Sequence, residues 1–420
     1  MDENWLSFFL GFFFMVFGFV LIFLPNHIYA LILELCKLYC LGHAIYLGYH
    51  FLKNHKLVDV FYMILAFGFF VILTNHSNFP EWIIRVSFGG YCLLSAVASF
   101  VQFIINMRLK VHNVFMGIYF LSYLSLGLFL LFKPDFKTDL LMRFFGIYFI
   151  LLGFRYFHDW YDTVNRDAKY QWKRKFCLML PPQVCVLLPD WAMKKIQKQV
   201  DEGNLVDLEC SKMSEEPLLK VMVHVGPEGF QKIGHISFAY KGIVFSYGNY
   251  DSKTYHWNQT LGEGVYFNVP LEYYIPNMMK VEHNSIFEYG INMDESQQIQ
   301  VELVLERLAS NSKRWYCALE EAEGYDCFEE FESDYPSRLH YRTGAKFYKI
   351  KKGKFKYYWA LGDNCATFTD LVLQALGSDV LSLRGITSPG TYFDYLEKEY
   401  AKPYSPIVYR KVHMDSKRAT

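Results

Sequence analysis

The fold of this chain is decided at IGHISFAYKGIVFSYGN, residues 233–249. Two runs alternate between larger and smaller side chains around Lys241-Gly242, a pair suited to a two-residue turn, so the stretch is predicted to be a β-hairpin. Ile236, Phe238, Tyr240 and Ile243, Phe245, Tyr247 then share one face. His235, Ser237, Ala239 and Val244, Ser246, Gly248 share the other, because side chains alternate along a strand. A face of small residues carrying one imidazole can take a helix end or a substrate at close range.

The surrounding sequence continues in the same vein. LLKVMVHV at 218–225 reads as a preceding strand, and further strands are expected at about 264–269 and 285–291. Asp294 with Gln297 forms a capping box for a helix to about 309. A loop rich in aromatic and acidic residues spans 315–344, followed by the basic strand AKFYKIKKGKFKYYW at 345–359. Strands before and after a helical insertion give an α+β domain over 215–420.

Past that strand lies GDNCATFTD, residues 362–370, a turn running into a helix. Asp363 or Asn364 can cap it, Phe368, Leu371, Val372, Ala375 and Leu376 form its apolar stripe, and Gly377 stops it. Cys365 therefore falls in the first turn, where free backbone amides and the helix dipole favour a thiolate. The same amides can donate to an oxyanion when a carbonyl is attacked. Asp363 opposes this, since a neighbouring carboxylate raises a thiol pKa. A thiol nucleophile needs a base, and His235 is the best placed. Histidines 224, 256, 283, 340 and 413 lack its small-residue face. Ser246, Tyr247, Asn249 and Asp251 are the candidates to orient the imidazole. Strict hairpin pairing puts Ser246 on the His235 face, whereas a one-residue bulge puts Asn249 there. Asn249, whose amide can hold the ring, is the expected partner.

The G-H-I-S-F strand followed far downstream by N-C-A-T-F at a helix start resembles the circularly permuted papain-like (NlpC-type) fold, whose relatives include lecithin:retinol acyltransferase-like proteins and PPPDE isopeptidases. The resemblance covers about 215–400. It implies a Cys nucleophile at Cys365, a His base at His235 and a polar group that orients the imidazole. It also implies an amide, isopeptide or ester carbonyl as substrate. A free cysteine is equally at home in a core, so a non-catalytic ligand-binding domain on a membrane scaffold is the competing expectation.

The N-terminal third has another character. Spanning a bilayer takes about 20 mostly apolar residues in a helix. Six segments qualify, at roughly 5–24, 29–51, 57–74, 82–106, 112–132 and 140–157, giving a six-helix membrane domain over 1–157. Lys53, Lys56, Arg108, Lys110, Arg155 and the basic run 166–175 lie on one side, with only Lys133 and Lys137 opposite. Both termini are thus expected in the cytoplasm of a cell whose inner membrane holds the chain. The helix ends VLIFLPN, FVILTNH and LFLLFKP, with LYCL, GYCL and IYFI some fifty residues apart, suggest three hairpin repeats. Gly42, Gly89, Gly90, Gly146 and Gly153 are where helices could approach. With the Pro-containing turn and Gly146 to Gly153, this region resembles HdeD-type six-helix membrane proteins, which implies an inner-membrane bundle. Glu34 and Lys37 could face Arg85 and Arg143 in one charged layer, or each could snorkel to the interface.

Residues 158–214 connect the two regions. Aromatic and basic residues there, and a helix capped by Asp190 with lysines around an apolar stripe, suit an anionic bilayer surface. Equal counts of 42 basic and 42 acidic residues argue against a nucleic-acid partner. Nine scattered cysteines without Cys-x-x-Cys or Cys/His spacing make neither a disulfide framework nor a zinc site. With no phosphate loop or dinucleotide fingerprint, no cofactor is expected. The expected partners are the lipid bilayer and a peptide, isopeptide or lipid-ester substrate.

Overall fold

The computed structural model describes residues 3–111, 114–132, 138–164, 185–204, 206–226, 232–322, 328–376, 387–402 and 405–414. The chain forms two compact units, one of residues 1–97 with 118–164 and one of 98–117 with 165–420. The boundary differs from the expected 1–157 because the end of the fourth helix and the start of the fifth group with the C-terminal region.

Six long helices form in the first third: α1 (Glu3–Phe23), α2 (Pro25–Asn54), α3 (Leu57–Asn75), α4 (Phe79–Arg108), α5 (Val114–Phe132) and α6 (Thr138–Val164). All six are long and apolar enough to cross a bilayer, which makes this a membrane protein. Their exposed Phe, Leu and Ile side chains are surface that water would disfavour and lipid would not.

Within the first unit the tightest approaches, α1 on α6 and α2 on α3, join helices of different expected hairpins. Glycine explains the first. A Cβ on Gly18 would lie 2.6 Å from the Gly146 carbonyl, and one on Gly153 2.8 Å from that of Gly11. Gly89 similarly packs against Leu131, whereas Gly42 and Gly90 have nothing close by among the described residues. Of the charged layer, Glu34 accepts from Lys37 on its own helix at 2.7 Å, and Arg143 pairs with Asp139 one turn earlier. These three charges are thus satisfied by i,i+3 and i,i+4 partners on their own helices.

The second unit is built on a nine-stranded antiparallel sheet. Its strands are β1 (Glu209–Ser211), β2 (Leu219–Val225), β3 (His235–Tyr240), β4 (Ile243–Gly248), β6 (Val265–Pro270), β7 (Ser285–Ile291), β8 (Ser312–Trp315), β9 (Lys346–Ile350) and β11 (Ile407–His413). Their order across the sheet is β1-β11-β7-β2-β3-β4-β6-β9-β8. β5 (Leu261–Glu263) and β10 (Tyr357–Trp359) pair separately. Helices α7 (Leu188–Asp201), α8 (Leu271–Lys280), α9 (Glu295–Ser310), α10 (Tyr335–Thr343), α11 (Cys365–Ala375) and α12 (Pro389–Ala401) cover the two faces, with short turns of helix between.

Alternation along β3 and β4 divides the core as the sequence suggests. Ile236, Phe238, Tyr240 and Tyr247 join a cluster with Cys365, Phe368 and Val372 of α11 and Tyr392 and Leu396 of α12. Ala239 and Val244 join another with Phe267, Phe347 and Tyr274 of α8. The small-residue face takes α8, while α11 packs its Phe368 against Phe238 and Tyr247 on the opposite face.

The capping box of α9 forms with Asp294 and Gln297 as expected. α7 starts at Leu188 rather than at an Asp190 cap; Asp190 is buried in its first turn and pairs with Lys194 at 2.7 Å. Pro189 accounts for the earlier start, because proline is pre-shaped for a first helical turn. The basic run 166–175 and Gly377 lie outside the described residues.

Candidate active site

The start of α11 is fixed by Asn364, not Asp363. Its Oδ1 accepts from the backbone N–H of Ala366 at 3.0 Å and of Thr367 at 3.1 Å. Thr367 Oγ1 accepts from Asn364 N–H at 2.8 Å, completing a reciprocal cap. The Asn364 amide also donates to the carbonyls of Ala360 and Thr387, each at 2.8 Å. One side chain thus ties together the loop before the helix, its first turn and the approach to α12. Three residues into the helix, Phe368 stacks on Tyr247 with centroids 4.8 Å apart and packs near Phe238, Tyr266 and Phe355. Burying such a ring contributes about 1.5–3 kcal/mol, and it anchors the turn that carries Cys365.

Cys365 is the first residue of α11 and is buried. The backbone N–H groups of Ile236, Ala366 and Cys365 itself approach its sulfur and favour the thiolate, but burial outweighs them and pushes the thiol up to about 11. The Ile236 N–H is available because the β3–β4 ladder pairs Phe238–Tyr240 with Ile243–Phe245 and stops there. The sulfur thus sits against the backbone of the residue that follows His235.

His235 opens β3 behind Gly234, whose φ is +88°. A Cβ at Gly234 would lie 2.6 Å from the His224 carbonyl, so both backbone conformation and space call for glycine there. His235 Nε2 lies 2.7 Å from Ser246 Oγ, which is itself 3.1 Å from the Tyr250 hydroxyl. Burial lowers the imidazole to about 4. At neutral pH the site accordingly holds a neutral thiol and a neutral imidazole.

The expected orienting residue, Asn249, is elsewhere. Its amide donates to the Gln259 carbonyl at 3.1 Å. Over Phe238–Tyr240 and Ile243–Phe245 the hairpin register has no shift, and the residue beside His235 is Ser246, on the face that strict pairing gives it. Tyr247 points to the aromatic face and donates to the Phe355 carbonyl at 2.9 Å. Asp251 pairs with Lys349 at 2.6 Å. Neither is the partner of the ring.

Asp363 has a role that no local pattern shows. Gln102, in the part of α4 that belongs to this unit, reads it at two points. The Gln102 amide donates to Asp363 Oδ2 at 2.8 Å, and its carbonyl accepts from Asp363 N–H at 3.0 Å. Gln102 also donates to Asn106 at 3.0 Å, and Trp359 donates its indole N–H to the Ala98 carbonyl at 3.2 Å. Gly362 is required because a side chain there would meet the Gln102 amide. The carboxylate is engaged with these groups and with Lys354 at 3.9 Å, and burial rather than Asp363 raises the thiol.

Two further polar residues lie on the His235 side of the sheet: His224, set aside in the sequence for want of a small-residue face but bonded to Ser237 of that face at 2.8 Å, and Tyr274, which went unread. His224 faces His235 across the β2–β3 pair, and Tyr274 comes from α8. The spacing M-V-H-V carried a signal, since His224 pairs with His235 once the two strands are aligned in antiparallel register. Tyr274 carried none, because a helix's placement over a sheet is not a local property. Among the described residues no group of three or more His, Cys, Asp or Glu side chains is placed to hold a metal, and the seven described cysteines are free thiols.

No protein-family model matches the chain, and neither a curated protein nor a solved structure is significantly similar to it.

Proposed function

We propose that this chain is a membrane-anchored thiol hydrolase or acyltransferase in which Cys365 attacks an amide, isopeptide or ester carbonyl. The observation that carries this reading is the position of Cys365: first residue of a doubly capped helix, in one buried cluster with Ile236, the residue after His235. On attack, His235 takes the thiol proton, sulfur bonds to the carbonyl carbon, and the carbonyl electron pair moves onto oxygen. The Cys365 N–H is a donor suited to that oxyanion, the Ala366 N–H being held by the Asn364 cap. Collapse expels the amine or alcohol, which receives the proton from His235. Water or an acceptor amine then resolves the thioester. Starting from a neutral pair, the proton moves only when a carbonyl arrives to use the thiolate, which keeps the resting thiol unreactive.

The order of a Gly-His strand before an Asn-Cys helix supports placing the domain with the permuted papain-like hydrolases. The bias of Lys and Arg among the loops supports a cytoplasmic face for both termini. A carbonyl carried by a lipid or by a membrane-protein tail suits an enzyme held at a bilayer.

A thiol-directed acyl probe tests the chemistry. The intact protein in detergent at pH 7 should be labelled at Cys365 and Cys365→Ala should not. Equal labelling of both would overturn the reading. An accessibility reporter fused after Thr420 tests the orientation, and one that responds only outside the cell would overturn the cytoplasmic placement.

A further inference from the structure

The β5–β10 ribbon is entered through a turn that the site does not use. His256 and Leu261 bridge across it, with N–H···O bonds of 2.8 and 3.3 Å in the two directions. Between them Trp257, Asn258 and Gln259 take φ of 48°, 53° and 67° in succession. That region is disfavoured for residues with a Cβ, and such conformations persist only where surrounding bonds hold them. Thr260 holds this one, donating its N–H at 3.3 Å and its hydroxyl at 2.7 Å to the Trp257 carbonyl. Asn249 holds it from a neighbouring segment through the Gln259 carbonyl. The turn so held presents Trp257 outward, 61% exposed.

The residues behind the turn decide what it is presented to. Trp257 meets Trp359 edge-on, with ring centroids 5.8 Å apart. Trp359 is buried and donates its indole N–H to the Ala98 carbonyl of α4 at 3.2 Å. α4 runs for 30 residues, Phe79–Arg108, and crossing the hydrocarbon core takes about 20 of them. A run of about twenty inside 79–108 begins no later than 89 and ends no earlier than 98. Ala98 is therefore inside the spanning stretch, or its last residue, wherever the bilayer cuts the helix. An indole bonded to that carbonyl is at bilayer depth, and Trp257 rests directly on it. One exposed aromatic ring means little on a water-facing surface. At the depth of Ala98 it has a partner, because an apolar ring with a single N–H suits the boundary between acyl chains and headgroups.

We propose that the 256–260 turn is a bilayer anchor, with Trp257 seated at the headgroup boundary of the phospholipid. The anchor is tied to the candidate site. Ala360 N–H bonds the Thr260 carbonyl at 2.9 Å, and Trp359 N–H bonds the Asp363 carbonyl at 3.0 Å. The loop that leads into Cys365 is thereby held at headgroup depth. The anchor stands whether or not Cys365 is a nucleophile.

The test uses the full-length protein carrying 5-fluorotryptophan in phospholipid nanodiscs, read by fluorine NMR. The Trp257 signal is the one lost in Trp257→Phe, a change on an exposed side chain. It should lose more intensity to phospholipid spin-labelled at the headgroup than to a gadolinium chelate in the water. Equal or greater loss to the chelate overturns the proposal. Loss to neither also overturns it and gives the turn to a protein partner. Moving the spin label to the end of the acyl chain should reduce the effect; a larger loss there would put Trp257 in the hydrocarbon and overturn the headgroup placement. None of these readouts involves acyl-probe labelling of Cys365, so the anchor and the enzymatic reading fail separately.

Discussion

The two faces of the nine-stranded sheet treat polar groups in opposite ways. On one, Phe238, Tyr247, Tyr266 and Phe355 close around Phe368, and the tyrosine hydroxyl of Tyr247 is sent to a backbone carbonyl at the edge of the socket. On the other, imidazoles bond to serine hydroxyls, His224 to Ser237 and His235 to Ser246. Cys365 stands with the first face but draws on the backbone of β3, the strand that carries the second. The difference teaches a division of labour: one face holds the helix of Cys365 by shape, the other holds the His235 ring through a serine hydroxyl.

The sharpest way to break that division is Phe368→Ala. It empties the aromatic socket and should cost about 3–5 kcal/mol, read by thermal unfolding in detergent; a loss below 1 kcal/mol would mean that α11 is held by its cap alone.

The polar face should respond next, to acid. Burial lowers His235 to about 4 and His224 well below its ordinary value. The unfolded chain, with histidines near 6.5, therefore binds more protons than the folded one between about pH 6.5 and 4. Stability should be flat above that window and fall as pH drops through it, by at most about 1.4 kcal/mol per pH unit for each histidine. His224→Gln should make the fall shallower, and an identical slope would place His224 in water.

Gln102→Leu leaves both polar groups of Asp363 without that partner and should cost about 1–3 kcal/mol. Because the lost contact is next to Cys365, probe labelling should slow in the same variant; stability loss without slower labelling would separate the loop from the site. The smallest effect is expected at Asn249. Asn249→Ala removes one bond to a carbonyl, worth about 1 kcal/mol or less, and should leave the His235 tautomer unchanged.

Much of this was legible in the sequence wherever one residue's neighbours in sequence decide the outcome. Twenty apolar residues span a bilayer whatever packs beside them, and the hairpin at Lys241-Gly242 fixed which side chains share a face. Cys365 at the helix start was readable for the same reason, since Asn364 and Thr367 cap within four residues. Partners brought by distant segments were not. Ser246 was within the sequence's reach, but the absence of a bulge is a property of the ladder. Tyr274 and Gln102 reach the site from a helix over the sheet and from the end of α4, and no periodicity encodes either approach. β11 and α12 were missed although both were signalled, by Pro403, Ser405 and Pro406 before IVYRKVH and by Ser388-Pro389 at a helix start.

The two-point grip of Gln102 on Asp363 has a mechanical meaning. Both bonds, at 2.8 and 3.0 Å, lie near ideal length. Because both run from one side chain, a shift of the helix end by a single residue, about 1.5 Å along its axis, acts on both bonds at once. The loop before Cys365 is thus indexed to a helix end, in the way a pin holds a bolt.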